Sequence, residues 1–318
     1  MNGLSKGSVT WAEIDEAAHD QRIDNYLLKT LKGVPKSHVY RILRSGEVRV
    51  NSGRVGADYR LQTGDRVRIP PVRVAVAGER KAPPAGPVAP TLFEDDWLLA
   101  IDKPAGLAVH GGSGVSFGAI EALRVSRPEL RFLELVHRLD RDTSGVLLLA
   151  KKRQALVNLH VQLREGRVDK RYLALVAGDW TDARRKVELP LHKFVTRSGE
   201  RRVVVDEKEG ATAHTVFRLQ RRWPNFSLLE AELKTGRTHQ IRVHLAHLGF
   251  PIAGDEKYGD VDANRQLAKA GLKRMFLHAA SIAFRHPKDD QKLRIESPLM
   301  PELDRFLASL PKRQARLA

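Results

Sequence analysis

The densest chemistry in the chain lies in HRLDRDTSG, residues 137–145, where His137, Arg138, Asp140, Arg141 and Asp142 crowd together. One apolar run, FLELV, leads into this segment and another, GVLLLA, leads out, so the polar groups sit at a junction between two expected strands. These groups cannot all be buried without partners, so the segment is either exposed or organised as a paired network. Loops held on rigid strands commonly carry active sites, yet charge spacing by itself leaves a structural ion-pair network and a catalytic carboxylate equally open.

Other candidates are individually ambiguous. Arg242 stands between Ile241 and Val243 in QIRVH, which fits a helix-surface cation as well as a functional one. Tyr172 falls in the alternating KRYLALV, where a half-buried strand aromatic is the plain reading, and Leu277 reads as a core strand residue. His239, His244 and His247 have neither a clear fourth ligand nor HExxH order, so no metal site is read from them. The glycines of VHGGSG lack the order of a phosphate loop. HRLD echoes a kinase catalytic loop, but its leucine separates Arg138 from Asp140 and no DFG or VAIK string accompanies it.

The elements that must position these residues divide into two groups. Ile23, Tyr26, Leu27 and Leu31 repeat at helical spacing and Gly33 ends the run; a second helix starts with Pro35 in its first turn, turns Val39, Ile42 and Leu43 inward, and stops at Gly46. EVRVNSGRV and GDRVRIPP then alternate as a small β unit around an Asn51-Ser52-Gly53 turn. Lys36, Tyr40 and Arg44 recur every four residues with Arg41 beside them, so the second helix presents cations and an aromatic ring together, suited to phosphate. Between 73 and 90 periodicity gives way to Pro and Gly, the mark of an extended linker. From 91 to 312, strand runs such as WLLAID, GVLLLA and FSLLEAEL mix irregularly with helices such as RQALVNLHVQLREG. The expected organisation is therefore an extension over 1–15, a small α/β domain over 16–72, the linker, an α+β domain over 91–312 with a mixed, largely antiparallel sheet, and a basic tail over 313–318.

Composition sets the partner class. Lys and Arg outnumber Asp and Glu by 55 to 38, giving a formal charge of +17, which points to a polyanion. The chain has no cysteine, which excludes disulfides, thiolate catalysis and cysteine metal sites. No signal peptide or run of about 18 apolar residues is evident, so a cytoplasmic chain away from membranes is expected.

HRLDRDTSG resembles the signature of the RluA family of RNA pseudouridine synthases. The likeness continues through DKPAGLAVHGG, KRYLALVAG, TGRTHQIRVH and FLHAA, while RILRSGEVRVN resembles the small RNA-binding domain named after ribosomal protein S-four. The resemblance implies the pseudouridine synthase fold and isomerisation of uridines in large-subunit ribosomal RNA by an aspartate, Asp140, with no cofactor and no metal. It implies that Arg242 pairs with Asp140 and that Tyr172 stacks on the uracil near the departing C5 proton. Arg138 would fill the space of a flipped base, and Leu277 would contact the uracil. Lys36, Arg41 and Arg44 are expected on the RNA, and the protein is expected to be a monomer. A transfer RNA substrate, or a non-catalytic ribosome assembly factor, is the alternative.

Overall fold

The computed structural model describes residues 8–31, 33–72, 89–111, 117–196 and 200–311. Two compact units emerge, Met1–Ala82 and Pro83–Ala318. The glycines Gly112 and Gly114, most of the expected linker and the basic tail lie outside the described residues.

In the first unit, β1 (Thr10–Glu13) precedes α1 (Ile23–Thr30) and α2 (Lys36–Arg44), followed by β2 (Arg49–Val50), β3 (Gly53–Arg54) and β4 (Arg66–Ile69). The strands form one sheet in the order β1-β4-β2-β3. Ile23, Leu27, Val39, Ile42 and Leu43 bury the helices' apolar faces with Val50 and Val67 from the sheet, as helical and alternating spacing require. Residues 1–15 read as an extension, yet Thr10–Glu13 supplies an edge strand of this sheet. Pro35 also differs from expectation: its ψ of 141° keeps it outside α2 as the N-cap residue. The hairpin turn is made by Asn51 and Ser52, at φ of 48° and 69°. Asn51 secures it by donating to the Asp65 carboxylate at 2.7 Å and accepting from the Arg66 amide at 2.9 Å.

The second unit runs β5 (Thr91–Glu94), β6 (Leu98–Lys103), α3 (Ala119–Ser126), β7 (Glu134–Leu135), β8 (Ser144–Ala150), α4 (Arg153–Arg164), β9 (Asp169–Ala177), β10 (Arg184–Glu188), β11 (Leu191–Val195), β12 (Arg201–Val205), β13 (His214–Arg222) and β14 (Phe226–Leu233). It continues through α5 (Gln240–His247), α6 (Val261–Lys269), β15 (Leu277–Arg285), β16 (Lys292–Glu296) and α7 (Pro301–Ser309). A 10-stranded sheet follows the order β10-β13-β14-β9-β15-β8-β6-β5, with β16 beside β15 and β7 beside β8. Its pairings are antiparallel except β15 with β8, matching the expected mixed α+β architecture. β11 and β12 form a separate hairpin.

Residues 98–101 of β6 and 146–150 of β8 are unbroken apolar runs because both of their faces are covered. Leu99, Ile101, Leu147 and Leu149 join one core with α3, α5 and α7 residues, while Leu98, Ala100, Val146 and Leu148 join the other with Ala155, Leu156 and Leu159 of α4. FLELVH was expected as a full strand but pairs only at Glu134 and Leu135. No helix among the described residues is long and apolar enough to cross a membrane.

Candidate active site

The segment between β7 and β8 is a loop pinned from beneath. Leu139 is buried in the core, which turns its neighbours Arg138 and Asp140 to the other side, where both line a cavity of about 1490 Å³. Lys103, at the end of β6, donates all three Nζ protons to backbone carbonyls: Pro104 and Leu107 at 2.8 Å and Arg141 at 3.0 Å. Burial pulls its pKa down to about 7. From the opposite side Arg274 donates to the Ser144 hydroxyl at 2.7 Å and the Asp142 carbonyl at 3.4 Å. Gly145 has a φ of +106°, and a Cβ there would stand 2.2 Å from the Ala279 carbonyl oxygen. Only glycine lets β8 approach β15 so closely where the loop ends.

Arg242 reaches this loop from α5. Its Nη1 donates to Asp140 Oδ2 at 3.1 Å, while Nε and Nη2 donate to the two carboxylate oxygens of Asp255 at 2.8 Å each. Asp255 also accepts the amides of Lys257 at 2.9 Å and Tyr258 at 3.1 Å. The side chain of Asp255 is 1% exposed and that of Asp140 is 20% exposed, so one carboxylate anchors the guanidinium and the other faces the cavity. Burial opposes the charge on both members of the anchoring pair. Their mutual hydrogen bonds outweigh it, holding the Asp255 pKa below and the Arg242 pKa above their ordinary values. The turn that presents Asp255 depends on Gly254, at φ +76°, where a Cβ would stand 2.3 Å from the Arg274 carbonyl oxygen.

A second layer surrounds this pair. His239, at φ 53° just before α5, places Nδ1 2.8 Å from the Tyr258 hydroxyl and Nε2 3.9 Å from Asp140 Oδ1. Tyr258 accepts the Val203 amide at 3.2 Å, tying the β11–β12 hairpin to the site, and its ring lies 5.1 Å from the Arg242 guanidinium carbon. The Tyr258 hydroxyl thus fixes the His239 ring with Nε2 turned towards Asp140. Burial lowers the His239 pKa despite the nearby Asp140 charge. Arg138, Arg141, Lys193, Arg201, Arg202 and Lys273 are cations of the cavity wall, a setting suited to a polyanion.

The structure brings Asp140, Arg242 and Arg138 together, and Arg242 is a buried partner, 7% exposed, where a helix-surface cation was the competing reading. Tyr172, 7% exposed, lies in the core opposite Ala231 and Ala279; burial, reinforced by the Asp140 charge, raises its pKa. Leu277 is likewise a core residue, and neither side chain belongs to the cavity wall. His244 bonds Thr215 and the Leu189 carbonyl, both at 3.0 Å, and no group of His, Asp or Glu among the described residues is arranged to hold a metal ion. On α2, Lys36, Arg41 and Arg44 are exposed, but Tyr40 turns away from them to donate to Asp24 at 3.0 Å, and Arg41 pairs with Glu47 at 3.4 Å. Asp255, Tyr258, Lys103 and Arg274 were not singled out from sequence. The available signal was Gly254-Asp255, an acid behind an apolar PIA run.

Comparison with known proteins converges on one family. Residues 97–247 match the model of RNA pseudouridylate synthases, and residues 21–67 match the S4 domain. The chain is 53% identical over 316 residues to ribosomal large subunit pseudouridine synthase C of Pasteurella multocida, covering 97% of this chain and 96% of that protein. It is 54% identical over 312 residues to the Haemophilus influenzae protein of the same name, covering 96% and 97%. The solved structure of human RNA pseudouridylate synthase domain containing 4 superposes with a TM-score of 0.57 at 25% identity, over 69% of this chain and 91% of that one.

Proposed function

The chain belongs to the RNA pseudouridylate synthase family, and from that membership we propose that it isomerises uridines of large-subunit ribosomal RNA, with Asp140 as the reacting carboxylate. The reaction breaks the C1′–N1 glycosidic bond, turns the uracil and joins C5 to C1′; C5 gives up its proton and N1 takes one up, so the product is an isomer and no external donor is needed. The observation that carries the reading is the Arg242 guanidinium fixed between buried Asp255 and accessible Asp140. An arginine so held gives Asp140 a fixed cationic neighbour and leaves the carboxylate facing the cavity, where it can act as nucleophile or base towards the sugar or the ring.

In this reading Arg138, exposed on the cavity wall, occupies the place of the flipped nucleotide and offsets part of an unstacking cost of a few kcal/mol. Tyr172 is assigned to stacking on the uracil near the departing C5 proton and Leu277 to apolar contact with it, which requires the ring to reach past a cavity wall that neither side chain forms. Asp255 positions Arg242, and Lys36, Arg41 and Arg44 meet RNA backbone.

The test is tritium release from large-subunit ribosomal RNA labelled at uridine C5. Release by the intact chain and none by Asp140→Asn is the expected result. Tight binding without release redirects the reading to transfer RNA or to a non-catalytic assembly factor.

A further inference from the structure

The outer face of the first unit's sheet carries a feature that uridine isomerisation does not use. In the register of the four strands, Trp11 stands opposite Arg68, Arg68 opposite Arg49, and Arg49 opposite Arg54. Directly paired residues point to the same face, and the alternating Val50, Val67 and Ile69 fill the core on the other. One row across the whole sheet is therefore a tryptophan followed by three arginines, about 14 Å long at ordinary strand spacing. Arg66, on the same face two residues from Arg68, places its guanidinium carbon 5.2 Å from the centre of the Trp11 ring.

Two physical oddities coincide here. Like charges directly opposed destabilise a sheet, and this row opposes arginine to arginine twice. No carboxylate among the described residues forms an ion pair with Arg49, Arg54, Arg66 or Arg68; Arg68 and Arg49 donate instead to the backbone carbonyls of Glu47 and Gly46 at 2.7 and 3.3 Å. Glu13, opposite Arg66, is the acidic residue on the face. Trp11 is also 47% exposed, unusual for the largest aromatic side chain, and lies outside the 21–67 segment that matches the S4 domain.

We propose that this sheet face is an RNA-contact surface separate from the α2 cations, in which an unpaired base stacks on Trp11 and successive phosphates of a single-stranded segment lie along Arg68, Arg49 and Arg54. The combination suits that ligand: an aromatic platform serves any base, and an arginine track follows a backbone without reading sequence. A row of uncompensated guanidinium groups is relieved when phosphates cover it. RNA as the occupant rests on the function proposed above, while the surface itself rests on the register.

The experiment measures binding of fluorescein-labelled oligouridylate to the full-length protein as salt is varied, for wild type, Trp11→Ala, and the triple variants Arg49→Gln/Arg54→Gln/Arg68→Gln and Arg49→Lys/Arg54→Lys/Arg68→Lys. Loss of three phosphate contacts should flatten the slope of log affinity against log salt by about 2. Trp11→Ala should weaken binding about ten-fold with little change of slope. The lysine triple should retain most of the slope, which a merely structural defect would not. A glutamine triple with wild-type slope and affinity overturns the surface. Tritium release from ribosomal RNA, run on the same samples, reads the functional proposal separately: release with an unchanged slope sinks the surface alone, and a lost slope without release by wild type sinks the function alone.

Discussion

Asp255 holds Arg242 by both of the arginine's inner nitrogens, at 2.8 Å each, and leaves Nη1 as the edge that meets Asp140 at 3.1 Å. The guanidinium is oriented before any substrate arrives, so ordering costs are met in folding rather than in catalysis. Asp255 is a positioning residue, and Asp140 is left with a fixed ionic neighbour and an open side.

Arg242→Lys keeps the charge but cannot fork to Asp255 while reaching Asp140. Tritium release should fall about 10- to 100-fold, as for the loss of a group that orients a reacting residue. Near-wild-type release by this variant would remove the orienting role.

Arg242→Met strands a buried carboxylate and should cost about 3–5 kcal/mol in urea unfolding. Adding Asp255→Leu removes that stranded charge and should restore much of the stability without restoring tritium release. Recovery of both together would mean that the pair serves folding only.

His137 accepts the Leu148 amide at 3.1 Å, and burial presses its pKa down to about 4. An unfolded histidine titrates near 6.5, so between these values the unfolded chain binds the extra proton. Folding stability contributed here is complete above about pH 6.5 and is lost as pH falls towards 4. His137→Gln should show a shallower loss of stability than wild type across that window, measured by urea midpoints. Parallel curves would contradict the assignment.

Gly145→Ala meets both a positive φ and the Ala279 carbonyl. We expect a loss of at least about 3 kcal/mol, seen as a lower urea midpoint at unchanged slope. A variant as stable as wild type would show that β8 and β15 do not approach as described.

Tyr258→Phe removes the acceptor for the Val203 amide and the hydroxyl that bonds His239 Nδ1. A stability loss of about 1–2 kcal/mol is expected, with a fall in tritium release smaller than that of Arg242→Lys. A larger fall would place the His239 tautomer at the centre of the chemistry.

Much of this was legible in the residues alone. The apolar runs at 98–101 and 146–150 announce strands covered on both faces, and Leu156 and Leu159 announce the buried stripe of α4, because burial of a local segment leaves its period in the sequence. HRLDRDTSG marks its own importance, since so many charges between two buried strands demand partners. Which partner each charge takes was decided by tertiary structure. Asp140 and Arg242 are 102 residues apart, and their meeting depends on α5 entering through His239 at positive φ and on Gly254 turning Asp255 inward. The row of Trp11, Arg68, Arg49 and Arg54 likewise exists only in the register of a folded sheet. Periodicity reports how a segment meets solvent, whereas ion pairs and cross-strand rows are agreements between distant segments that only packing brings into contact.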